Sequence, residues 1–68
     1  MYRIDVLINL KWKYLYENDD LLKIDLAIYK ALKEGYQIRV LKDNILLTFL
    51  NAIEEFDYWK ELVKHKAL

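Results

Sequence analysis

The sequence predicts a small α+β domain of order β-α-β-β-α, a three-stranded antiparallel or mixed sheet with a long first strand and two helices on one face. Three observations predict it. From Tyr2 to Tyr16 every even position is apolar or aromatic, the period of a strand with one buried face. From Leu21 to Glu34 the apolar spacing changes to that of a helix, with Ile24, Ile28, Ala31 and Leu32 on one stripe. Between Tyr36 and Asn51 the period of two returns on both sides of Asp43-Asn44.

The first strand raises a problem of length. Sixteen extended residues reach about 50 Å, whereas a chain of this size has a radius of gyration near 11 Å. A two-residue hairpin at Asn9 would reverse the parity of the core face, because such a turn pairs residue i with i+3. The even parity continues through Leu10, Trp12, Tyr14 and Tyr16. The pattern therefore favours one bent or bulged strand over a tight hairpin, with a three-residue loop as the alternative.

Asn18 and Asp19 are candidate N-caps for the first helix, and Gly35 stands where a left-handed C-terminal cap belongs. In the hairpin that follows, a turn at Asp43-Asn44 sets Lys42 against Ile45, Val40 against Leu47 and Ile38 against Phe49. Leu41, Leu46 and Leu50 then fall on the outer face beside Arg39 and Thr48. Asn51 is a candidate cap for the last helix, with Glu54 completing a capping-box pattern. Ile53, Phe56, Trp59, Val63 and Ala67 form its apolar stripe. The expected core is Ile4, Val6, Ile8, Ile28, Leu32, Ile38, Val40, Leu47, Phe49, Phe56, Trp59 and Val63. Residues 1–68 read as a single domain without linker, repeat or low-complexity segment.

Composition narrows the function classes. The chain is 56% hydrophobic, too apolar for a disordered segment. Eleven basic and eleven acidic side chains balance, whereas nucleic-acid binders usually carry a basic excess. No apolar run approaches the roughly 20 residues of a membrane span, and with a strand pattern at the start no secretory segment is expected. The absence of cysteine is compatible with a cytoplasmic setting, the location expected.

No enzyme is expected. Serine and cysteine are absent and the one threonine, Thr48, sits inside a predicted strand, so Ser-His-Asp and Cys-His arrangements cannot be assembled. One histidine without cysteine makes no zinc-type cluster, and one glycine makes no glycine-rich phosphate loop. No catalytic residue, metal ligand or cofactor is assigned. Asp25 lies within the apolar face of the first helix, either as a buried acid or, more ordinarily, at the edge of the stripe with water or an arginine. Glu54, Glu61 and His65 share one face of the last helix, where Glu61 and His65 at i,i+4 read as a solvated pair. Trp12, Tyr14 and Tyr16 would stack bases only on an open sheet face, and the alternation puts them on the helix-covered one, opposite Lys11 and Lys13.

The expected function is a non-enzymatic protein-interaction module that self-associates as a homodimer. The alternative is a small nucleic-acid-binding or regulatory protein of a mobile element or phage. An overlong strand without proline presents an edge that invites a second strand. The candidate interface is Leu7, Lys11, Trp12, Lys13, Tyr14, Leu15 and Tyr16 on that strand, with Leu41, Leu46 and Leu50 on the outer sheet face. The expected partner is a second copy, or else another protein.

Overall fold

In the computed structural model, which describes residues 1–66, the chain forms a four-stranded antiparallel sheet with two helices on one face. The elements are β1 (Tyr2–Ile8), β2 (Lys11–Asn18), α1 (Leu21–Lys33), β3 (Ile38–Lys42), β4 (Ile45–Leu50) and α2 (Phe56–Lys66). A single 3₁₀ turn, Ile53–Glu55, leads into α2. The strand order is β2-β1-β3-β4.

The opening stretch is thus a hairpin, which corrects both the expected single strand and the strand count. Asn9 and Leu10 form its turn with φ of 52° and 65°, the doubly positive φ of a type I′ connection. Leu10 is an unusual residue there, since a side chain at positive φ is strained. The turn reverses parity as two-residue turns must. Lys11 and Lys13 stand opposite Ile8 and Val6, while Trp12 and Tyr14 stand opposite Leu7 and Asp5. A bulge then leaves Leu15 unpaired, so that Tyr16 comes opposite Ile4 and rejoins the helix-covered face. Two reversals cancel, and the even alternation survives a turn that should have broken it.

The second hairpin repeats this plan. Asp43 and Asn44 turn with φ of 50° and 67°, and Lys42 faces Ile45 as expected. A bulge at Leu47 then shifts the register. Val40 faces Thr48, Arg39 faces Phe49 and Ile38 faces Leu50. The shift exchanges two predicted roles: Leu50 is fully buried and Phe49 is half exposed on the outer face.

The core lies between the sheet and the helices. Ile4, Val6, Ile24, Ile28, Leu32, Ile38, Val40, Leu50 and Trp59 are buried there with Tyr2 and Ala31. Leu47, Phe56 and Val63 pack against this core half-buried, and Ile8 is exposed near the turn. Ala67 lies outside the described residues.

α1 begins at Asp20, whose carboxylate accepts the Leu22 N–H at 3.0 Å, while Asn18 Oδ1 accepts the Asp20 N–H at 2.8 Å. The cap is therefore one residue beyond the two candidates. At its end Gly35, at φ 91°, donates to Leu32 O and Tyr36 donates to Ala31 O. This is the bonding of a Schellman cap, as the glycine predicted. Glu55, not Glu54, reaches back before the last helix and accepts the Asn51 N–H at 2.6 Å.

The topology also reveals a repeat that the sequence reading missed. Each half is a ββα unit, and Tyr2, Ile4, Val6 and Leu7 recur as Tyr36, Ile38, Val40 and Leu41 at a constant separation of 34 residues. The turns at Asn9 and Asp43 keep the same separation. β1 and β3 pair antiparallel at the centre of the sheet with Asp5 opposite Arg39. Those two residues are equivalents, so an approximate twofold axis passes between them. In the helices the correspondence is one residue longer, matching Leu21 with Phe56, Ile24 with Trp59 and Ala27 with Leu62 in burial. Past Leu41 the two halves share almost no residue types, so little of the repeat is visible in the sequence.

No described helix is long and apolar enough to cross a membrane.

Candidate functional site

The helix-free face of the sheet is organised around Asp5, whose side chain is almost inaccessible although no helix covers it. Arg3 donates through Nε to Oδ1 at 3.1 Å and through a terminal nitrogen to Oδ2 at 3.3 Å. Arg39, directly across the ladder, donates through Nε to Oδ2 at 2.8 Å. The Arg39 guanidinium in turn lies 4.8 Å from the centre of the Trp12 ring, within cation–π range. Trp12 from edge strand β2 and Phe49 from edge strand β4 approach to 5.8 Å between ring centres, inclined by 38°. The two rings therefore lean inward over β1 and β3. Leu41 is shielded on this face, at 7% exposure.

Five of the ten candidate interface residues meet here: Leu7, Trp12, Tyr14, Leu41 and Leu46. Leu41 is too buried to contact a partner. Tyr14 and Leu46 remain well exposed, and the Tyr14 hydroxyl titrates above its ordinary value through partial desolvation and the nearby Glu17 carboxylate. The other five are elsewhere. Lys11 and Lys13 lie on β2 at the opposite face, Leu15 and Tyr16 line a cavity of about 410 Å³ against Ala27 of α1, and Leu50 is core. Phe49 and Ile45 were missed. Phe49 was hidden by the bulge at Leu47. Ile45, 68% exposed, was legible as the apolar start of an uncharged strand.

The two sheet edges differ in chemistry. β2 carries Lys11, Lys13 and Glu17, charges that discourage edge pairing. β4 reads Ile-Leu-Leu-Thr-Phe-Leu and carries none. The alternation of an antiparallel ladder, counted from the Lys42–Ile45 pair and through the bulge, turns the N–H and C=O of Leu46 and Phe49 away from β3.

On the helix side, Asp25 is buried at 8% exposure and fully engaged. It accepts the Trp59 indole N–H at 2.7 Å and Lys60 Nζ at 2.9 Å. Its protein partners are Trp59 and Lys60 rather than an arginine, and the carboxylate joins α1 to α2. Glu61 and His65 are paired at 2.9 Å on the exposed face of α2, while Glu54 lies in the preceding 3₁₀ turn. Among the described residues no three His, Asp or Glu side chains converge as metal ligands would.

No family model, curated protein or solved structure matches the chain.

Proposed function

We propose that the chain is a non-enzymatic protein-interaction module that self-associates, pairing β4 antiparallel with β4 of a second copy. The observation that carries this reading is the outward edge of β4, six residues without charge or proline. An unpaired edge presents a row of donors and acceptors that another strand satisfies. Antiparallel pairing of a strand with itself is isologous and closes with twofold symmetry, the commonest arrangement of a homodimer. Because β4 is uncharged, no like charges oppose each other across such a ladder, and the chain as a whole is neutral. Ile45, Leu46 and Phe49, all well exposed on one copy, would be partly covered by the other. The interface therefore moves from the opening strand, whose outer edge is charged, to the last one.

Light scattering at micromolar concentration tests this. The wild type is expected at twice the 8.3 kDa chain mass. Leu46→Lys, which puts a charge on the edge, should return it to the monomer, while Tyr14→Lys on the opposite edge should not. A monomeric wild type contradicts the proposal.

One observation favours a second reading, single-stranded nucleic-acid binding. Trp12, Tyr14 and Phe49 stand on the helix-free face, the place a base-stacking platform requires. Against it, Asp5 engages both Arg3 and Arg39, and Arg39 already lies over the Trp12 ring. Quenching of tryptophan fluorescence by an oligothymidylate, reversed by salt, would support this alternative.

A further inference from the structure

We infer that this chain is a twofold ββα dimer fused into one polypeptide, and that charge at its axis makes each half recognise the complementary half rather than its own kind. Equivalent residues of the two halves meet across the axis at two levels. In the sheet, Asp5 meets Arg39 at 2.8 Å. In the helix layer, Asp25 of α1 meets Lys60 of α2 at 2.9 Å, and these two are equivalents under the correspondence that matches Ile24 with Trp59. Between two identical halves, twofold symmetry would set each of these residues against its own copy. Asp5 would then face a second Asp5 at a site only 3% exposed; each would keep its own Arg3 but lose the cation across the ladder and meet a like charge there. Arg39 against Arg39 would leave both cations without a counter-charge.

The aliphatic residues of the β1–β3 seam cannot make this distinction. Ile4 and Val6 from one half face Val40 and Ile38 from the other, and the halves carry the same residues at equivalent places. A like-with-like pairing of these strands would bury the same aliphatic groups. Within the sheet the discrimination therefore rests on the axial charges, a case of specificity achieved by penalising the wrong partner. It follows that the first half of one molecule is compatible with the second half of another. Halves are exchangeable between copies, provided that the axial charges remain opposite.

The experiment uses the full chain in a Leu46→Lys background, so that pairing at the β4 edge does not enter the mass. Asp5→Arg and Arg39→Asp each place like charges at the axis and should each lower the urea midpoint. Asp5→Arg/Arg39→Asp in one chain restores opposite charges and should recover most of that loss as a monomer. When the two single variants are unfolded, mixed in equal amounts and refolded, every half finds a complementary half only on the other chain. A one-to-one heterodimer should then form that neither variant gives alone, detected by native mass spectrometry with one chain isotopically labelled. The inference is overturned if the double variant is no more stable than the single ones. It is equally overturned if the mixture gives no more heterodimer than either variant gives homodimer.

Discussion

Removing the Asp25 carboxylate should destabilise the protein through one identifiable bond. Asp25 Oδ1 accepts the indole N–H of Trp59 at 2.7 Å, and Trp59 is fully buried. Asp25→Ala leaves that donor without a partner, which costs about 1–3 kcal/mol. The lost pair with Lys60 adds only about 0–1 kcal/mol, because the Lys60 side chain is half exposed and its charge is screened by water. Alanine returns about 0.5 kcal/mol through its higher helix propensity. The net expectation is a loss of about 1–3 kcal/mol. A domain of this length has a total stability of roughly 3–10 kcal/mol, so the effect is readily measured by urea denaturation followed by circular dichroism. Asp25→Asn separates bond from charge. It keeps an acceptor oxygen for Trp59 and should cost less than about 1 kcal/mol. Equal losses in the two variants would refute the assignment of the effect to the indole bond. Loss of a cellular or binding function in Asp25→Asn, at unchanged stability, would instead point to a chemical role for the carboxylate.

Other substitutions follow from the packing and the turns. Ile28→Ala, at a fully buried site beneath α1, should cost about 2–5 kcal/mol by chemical denaturation. Phe56→Ala should cost less, about 1–3 kcal/mol, because Phe56 is only half-buried and packs edge-on against Tyr29 at 5.3 Å. Leu10→Gly should stabilise the first hairpin by about 1 kcal/mol, since Leu10 is 92% exposed at φ 65° and glycine adopts that conformation without strain. An unchanged or lowered urea midpoint in Leu10→Gly would mean that the turn is not under strain.

The elements whose signals are local were legible in the sequence. α1 announced itself by its spacing and by Gly35, and the Asp43-Asn44 turn by two residues that tolerate positive φ. The first turn was not legible, because Asn9-Leu10 lacks the glycine that usually marks a type I′ connection, and because the bulge at Leu15 repaired the parity that the turn had broken. A rule based on alternation alone cannot detect two compensating reversals. The second bulge had the same effect on a smaller scale: it moved Phe49 outward and Leu50 inward without altering any residue type. The helix-free face was partly legible through Leu7, Leu41 and Leu46. Its centre was not, since the partners Asp5 and Arg39 are 34 positions apart and become neighbours only when β1 and β3 pair. Asp25 was correctly singled out as a polar residue on an apolar face, and its partner could not be named before α2 was placed against α1.

Amide hydrogen exchange at Leu46 and Phe49, followed as protein concentration is raised, tests the proposed β4 pairing most directly. Both amides point away from β3, so in a monomer they face water and exchange quickly at every concentration. Pairing of β4 with a second β4 engages them, and their protection should then rise with concentration in step with the dimer. The amides of Trp12 and Tyr14, on the outer edge of β2, should remain fast throughout. Protection of Leu46 and Phe49 that does not change with concentration, or protection that rises on β2 instead, contradicts the assignment of the interface to β4.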